Sequence, residues 1–121
     1  MKNTPYIEYP TLIDSVVATA DYTSDAHDCR GMACAKGVGI PVGLTDAGGI
    51  DQTIDLQGSV DSTLWTDIAN PFVTFTGAAV SIESSLVDVR GYSLVRAKYN
   101  KEGASAGAIS LWLNLLAVND A

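Results

Sequence analysis

His27, the one histidine in the chain, lies in a stretch that could in principle do chemistry. Asp21-Tyr22-Thr23-Ser24-Asp25-Ala26-His27-Asp28-Cys29 holds three hydroxyls, three carboxylates, an imidazole and a thiol. A Ser-His-Asp relay needs its members brought together from separate elements of the fold. Neighbours on one strand or turn point alternately to opposite faces and do not converge. The spacing therefore predicts a solvated turn histidine and not a catalytic base. The oxygens of Asp21, Ser24, Asp25 and Asp28 also fail as a calcium loop. Their register is not D-x-D-x-D-G, and no glycine supplies the bend. They read as residues that satisfy their own backbone in turns. Cys29 and Cys34 form a single C-x4-C pair, too few ligands for a tetrahedral zinc site. They are expected as reduced thiols, at least one filling the core, although a sharp bend at Gly31 would allow a disulfide. Gly37, Gly39 and Gly43 lack the Gly-Lys-Ser/Thr and the following helix of a phosphate cradle. Their alternation implies a bare strand face that a neighbouring chain can approach closely. No catalytic residue, metal or cofactor is expected.

The two tryptophans are better placed for recognition. Trp65, just past the polar Asp61-Ser62-Thr63, is either a plug at the mouth of the fold or, with Asp61, a platform for a sugar. Trp112 follows from parity. Ile109, Leu111, Leu113 and Leu115 fill one side of a strand, so Trp112 and Leu116 point the other way. A large apolar group left outward on a sheet marks a contact surface.

These residues need elements to hold them, and the dominant pattern along the chain is period-two alternation broken by Gly, Asn, Asp and Ser clusters. Val38, Ile40, Val42 and Leu44 alternate with Gly37, Gly39, Pro41 and Gly43, and Pro41, lacking a donor, predicts an edge strand. Ile54, Leu56 and Val60 continue the alternation, and residues 59–68 form a hairpin whose return strand opens at Trp65. Asn70-Pro71 predicts a break before Val73 and Phe75, and Gly77 another before Val80 and Ile82. Val95, Ala97 and Tyr99 share one side of a strand that a polar loop joins to the leucine-rich strand above, an antiparallel hairpin. Residues 11–20 have apolar positions at helical spacing, but Thr11, Ile13, Val16, Val17 and Thr19 are β-branched and favour extended structure. No internal repeat is expected. Pro5 and Pro10 flank Tyr6, Ile7 and Tyr9, which predicts an extended arm over residues 1–10 with no strand register of its own. That arm joins the candidate contact residues. Residues 11–121 then make one all-β domain, an antiparallel sandwich or jelly roll of about seven to nine short strands.

Composition narrows the partners. The net charge of −7 opposes phosphate neutralisation and docking on anionic lipid, so neither nucleic acid nor membrane is expected. Charged residues are 17% of the chain, below the ~25% of an average soluble domain, which leaves a weakly hydrated exterior. No apolar N-terminal core resembles a signal peptide, so synthesis in a cytoplasm is expected.

One longer pattern carries a resemblance. Residues 56–68, Leu56-Gln57-Gly58-Ser59-Val60-Asp61-Ser62-Thr63-Leu64-Trp65-Thr66-Asp67-Ile68, resemble the QGSxDGxxWxDI hairpin of small structural proteins of tailed bacteriophages. Ala20–Ala26, Gly91–Tyr99 and Gly107–Leu111 fit the same pattern in order, over about residues 18–117. The chain is in this respect similar to capsid decoration (cement) proteins. Ser62 departs from the pattern, which has Gly there. The resemblance implies a β-sandwich without catalysis, a homo-oligomer such as a trimer, and the major capsid protein as partner. It also implies a place on the capsid surface of a virion assembled in the host cytoplasm. The Ser-x-Asp…Trp hairpin with a Tyr-x-x-x-Arg strand also resembles galactose-binding-like jelly rolls, which would make the chain a glycan-binding module of a tail or head fibre.

Overall fold

The computed structural model describes residues 5–46, 48–76 and 80–118; Met1 to Thr4, Ala47, Gly77 to Ala79 and the C-terminal 119–121 lie outside the described residues. The described residues contain strands and turns and no helix. The strands are β1 (Pro5–Glu8), β2 (Thr11–Val17), β3 (Tyr22–Thr23), β4 (His27–Asp28), β5 (Cys34–Asp46) and β6 (Gln52–Ser59). They continue as β7 (Thr66–Phe75), β8 (Ile82–Glu83), β9 (Val87–Asp88), β10 (Leu94–Asn100) and β11 (Ala104–Val118). Four of them, β3, β4, β8 and β9, are two-residue strands too short to carry a readable alternation, which takes the total past the expected seven to nine.

Two antiparallel sheets pack face to face, as expected of a β-sandwich. Sheet A has β11 and β5 at its centre, with β1 and β2 beside β11 and with β8 and β9 beside β5. Sheet B has β10 and β6 at its centre, with β3 and β4 beside β10 and with β7 beside β6. The alternating residues meet between them. Val95, Ala97 and Tyr99 from β10, Ile54 and Leu56 from β6, and Ile109, Leu111, Leu113 and Leu115 from β11 are fully buried. The Tyr99 hydroxyl donates to the Ala18 carbonyl at 2.8 Å, and its ring meets Phe75 edge to face at 6.4 Å.

The chain is a duplication, which corrects the expectation of no internal repeat. Strands β2 to β6 match β7 to β11 one for one, and exchanging the two sets leaves the pairing scheme unchanged. β5 pairs with β11 as β10 pairs with β6, and β8 and β9 flank β5 as β3 and β4 flank β10. β1 and β2, following each other along β11, stand where the single strand β7 lies along β6. The registers agree to the residue. Lys98 faces Thr23 as Val38 faces Glu83, and Val95 faces His27 as Ala35 faces Val87. The repeated Ser-x-x-x-Asp-x-Arg-Gly occurs at Ser24–Gly31 and Ser84–Gly91. Ser24 Oγ accepts the Ala97 amide at 2.8 Å, and Ser84 Oγ accepts the Gly37 amide at 2.7 Å. Gly31 and Gly91 both hold positive φ, at 82° and 93°. Each ends a turn in which an arginine reaches back to an aspartate, Arg30 to Asp28 and Arg90 to Asp88. Among the described residues every strand pair joins one half to the other; the halves are fully intertwined.

Several sequence-based expectations change. β5 is an interior strand and not an edge. Pro41 is tolerated because β8 and β9 pair only with Val38–Gly39 and Cys34–Ala35, so that flank is open beside Pro41. β7 spans Thr66–Phe75, but as expected its pairing is interrupted at Asn70-Pro71: the register to β6 shifts between Ala69 opposite Leu56 and Val73 opposite Ile54, and on this edge strand the missing proline amide costs no ladder bond. The segment Pro5–Glu8 has a register after all: Ile7 lies opposite Leu116 and Tyr6 opposite Ala117 on β11. The bare face of β5 is not offered to a neighbouring chain. Gly37 and Gly39 face the core, where they make room for Phe72 and for Val73 with Phe75. Gly43 holds φ +62° at an exposed bend with nothing packed over it.

Candidate functional site

The outer face of sheet A is the most distinctive surface of the molecule. Parity along β5 and β11 sends Ala35, Gly37, Gly39, Leu111, Leu113 and Leu115 inward, so Val38, Ile40 and Val42 emerge beside Trp112 and Leu116. They form rows across the sheet. Ile7, Leu116 and Cys34 share one row, and Trp112 and Val38 share another with Thr11 and Glu83 at its ends. Val17, Ala108 and Val42 share a third. Trp112 is 51% exposed, Val42 64% and Val17 63%, and none of Val38, Ile40 or Leu116 joins the core cluster. Lys36 and Glu83 neutralise each other on this face at 3.2 Å. Trp112 and Leu116 thus point outward together, as their parity required. Ile7 joins them, and Tyr9 is exposed just beyond; the side chain of Tyr6 lies outside the described residues.

Sheet B answers the same positions with polar groups. The matching registers place Lys98 where sheet A has Val38, Asn100 for Ile40, Asp55 for Trp112 and Gln57 for Asn114. These side chains bond to one another. Arg96 Nε donates to Gln57 at 2.8 Å, Gln57 donates to Asp67 at 3.0 Å, and Asn70 donates to Asp67 at 3.2 Å. Asn100 donates to Thr53 and to Asp55, each at 3.0 Å. Asp67 is held below the usual carboxylate range by the amides of Gln57 and Asn70, while burial raises the pKa of Asp55. Sheet B presents a polar, hydrogen-bonded face in which Asp55 is itself buried; sheet A presents an apolar one.

Trp65 lies at the rim of sheet B, half-buried, and is not a plug in the sandwich mouth. The Arg96 guanidinium sits over its ring at 4.1 Å, a cation–π stack that occupies one face of the indole. Asp61 is committed to its own turn. It accepts the amides of Thr63 and Leu64 and the Ser59 hydroxyl, and the two backbone donors lower its pKa. The sugar platform therefore has one covered face and an acid whose Oδ1 is already bonded.

The residues that opened the sequence analysis are dispersed. Ser24 is buried, its hydroxyl tied to the backbone of Asp25 and Ala97. His27 reaches Glu8 at 3.1 Å, which links β4 to β1, and Asp28 holds Arg30. Asp21 accepts the Lys101 amide at 2.9 Å. Among the described residues no three of His, Cys, Asp or Glu come together as a metal site. Cys29 and Cys34 are free, and Cys29 is buried with its thiol pushed up to about 11 by burial and by Asp28. An open groove lined by Glu8, His27, Arg30 and Met32 lies beside this turn.

Two sheets of intertwined halves packed into one sandwich define the class of protein. No family model and no curated protein matches the chain. Among solved structures it is similar to the SPBc2 prophage-derived protein YomS, with TM-score 0.63, 8% identity, and cover of 94% of this chain and 96% of that one. A second structure, of FLHE, matches with TM-score 0.49, 11% identity, and cover of 97% and 98%. The similarity to YomS is one of fold.

Proposed function

We propose that this chain is a structural protein of a tailed-phage particle, acting as a capsid decoration or cement protein through protein–protein contacts. The apolar outer face of sheet A is the observation that carries the reading. A soluble monomer gains nothing by holding Trp112, Val38, Ile40 and Val42 in water when sheet B shows that polar residues fit the equivalent positions. The resemblance of residues 56–68 to phage structural proteins and the prophage origin of YomS support the particle as the setting. A protein that binds the assembled shell and not its loose subunits stabilises the shell by linkage. Many copies add avidity to modest single contacts. The partners are copies of this chain and the major capsid protein, and the location is the capsid surface. Mass spectrometry of gradient-purified particles should find the chain at a fixed, high copy number. Particles lacking it should lose their DNA at lower temperature. Purified particles free of the chain, or equally heat-stable without it, would refute the proposal.

A further inference from the structure

We infer that the outer face of sheet A is closed by the same face of a second copy, giving a two-fold dimer stacked sheet on sheet; this rests on the proposal that the chain works through protein contacts. Charge selects the occupant. The chain carries −7, yet on this face Lys36 and Glu83 cancel, Asp88 opposite Cys34 is paired with Arg90, and the exposed Asp14 lies at the margin on β2. A strongly charged partner finds no counter-charge there. A second copy presents an equally neutral face, on which Glu83 is held by Lys36 and Asp88 by Arg90. Area agrees. The rows from Cys34 to Val42, apolar except for Lys36 opposite Asn114 and for Ser110 opposite Ile40, run for about 30 Å at ~3.3 Å per residue, and four strands at ~4.8 Å span about 19 Å. That is about 550 Å² per copy, or about 1,100 Å² in all, enough to clear the ~1,000 Å² expected of a specific interface. An isologous contact needs one self-complementary patch, and rows of Val, Ile and Trp flanked by small Ala108 and Ser110 interdigitate as sandwich faces do. The dimer would then expose two polar sheet B faces.

The duplication supplies the test, because sheet B already shows which residues the fold accepts at these positions. Trp112→Asp with Val38→Lys writes the Asp55–Lys98 pair into sheet A, and Ile40→Asn copies Asn100. Sedimentation velocity and light scattering at micromolar concentration should give a dimer for the wild-type chain. The Trp112→Asp/Val38→Lys variant should be a folded monomer, its dissociation constant raised at least about 30-fold, as loss of a hot-spot residue implies. Ile40→Asn alone should raise the constant less, so the test survives a double variant that does not fold. Lys98→Asp on sheet B should leave the dimer intact. A wild-type monomer at about 100 μM, or variants that still dimerise, would overturn the inference. A monomer whose Trp112 variant no longer decorates particles would refute the dimer and leave the structural role standing. A dimer that never associates with particles would support the dimer and refute that role.

Discussion

At the scale of the residue, strain and charge sit in the turns. Ser62 holds φ at 65° in the β6–β7 hairpin, a conformation in which its Cβ crowds the backbone. Its amide donates to Ser59 Oγ at 2.9 Å, and that bond would survive loss of the side chain. Ser62→Gly should therefore raise stability by up to about 1 kcal/mol, the strain relieved being partly offset by a freer unfolded chain; urea denaturation measures it. Asp28 and Asp88 behave as a matched pair. The Arg30 side chain and amide hold Asp28 down to about 2, and Arg90 does the same for Asp88. A carboxylate depressed in the fold contributes stability that is present above its ordinary value near 3.8 and is lost as pH falls through about 2. Both sites are exposed, so the effect is small and screened by salt. The melting temperature of an Asp28→Asn/Asp88→Asn variant should lie below wild type at pH 6 and converge with it towards pH 2.

At the scale of the element, β5 explains why its glycines matter. The strand is interior, and Phe72, Val73 and Phe75 of β7 press on the places where side chains would be. A Cβ at Gly39 would stand 2.7 Å from Val73 Cγ1 and 3.0 Å from the Phe75 ring. Gly39→Ala should cost about 1–3 kcal/mol by overpacking, read as a lower denaturation midpoint with an unchanged slope. A neutral outcome would mean that the two sheets separate more readily than their packing implies. Gly58 on β6, although its counterpart in the duplication is Leu115, makes similar room between Ile68 and Tyr92. Each sheet thus uses glycine to admit large side chains.

At the scale of the whole molecule, the intertwining has a direct consequence. Every ladder among the described residues crosses between halves, so residues 1–61 or 62–121 alone lack any strand partner seen in the fold. Each fragment should be unfolded by circular dichroism, and an equimolar mixture should regain the β spectrum. Such long-range pairing also predicts slow folding, since loops must close before contacts form. A fragment that folds by itself would show that pairing within a half is available to the chain.

Alternation and parity were legible in the residues. Ile109 to Leu115 had to face inward and Trp112 outward, and β-branched residues kept 11–17 extended, because these rules depend on strand geometry alone. The repeat left a visible trace at Ser24–Gly31 and Ser84–Gly91. It was hidden because those stretches sit in turns and two-residue strands, where little else is constrained. Which face of β5 meets the core could not be read locally. Its valine face is the more apolar, and a rule of apolar-inward burial selects the wrong side. Packing decided it. The aromatics of β7, distant in sequence, need the space above Gly37 and Gly39, and that demand turns Val38, Ile40 and Val42 out beside Trp112. Alternation in the residues was enough to define β10 and β11 and their buried faces. That two intertwined halves share one plan, and that one of their equivalent faces is apolar, came from the folded arrangement, because both depend on which distant strands become neighbours.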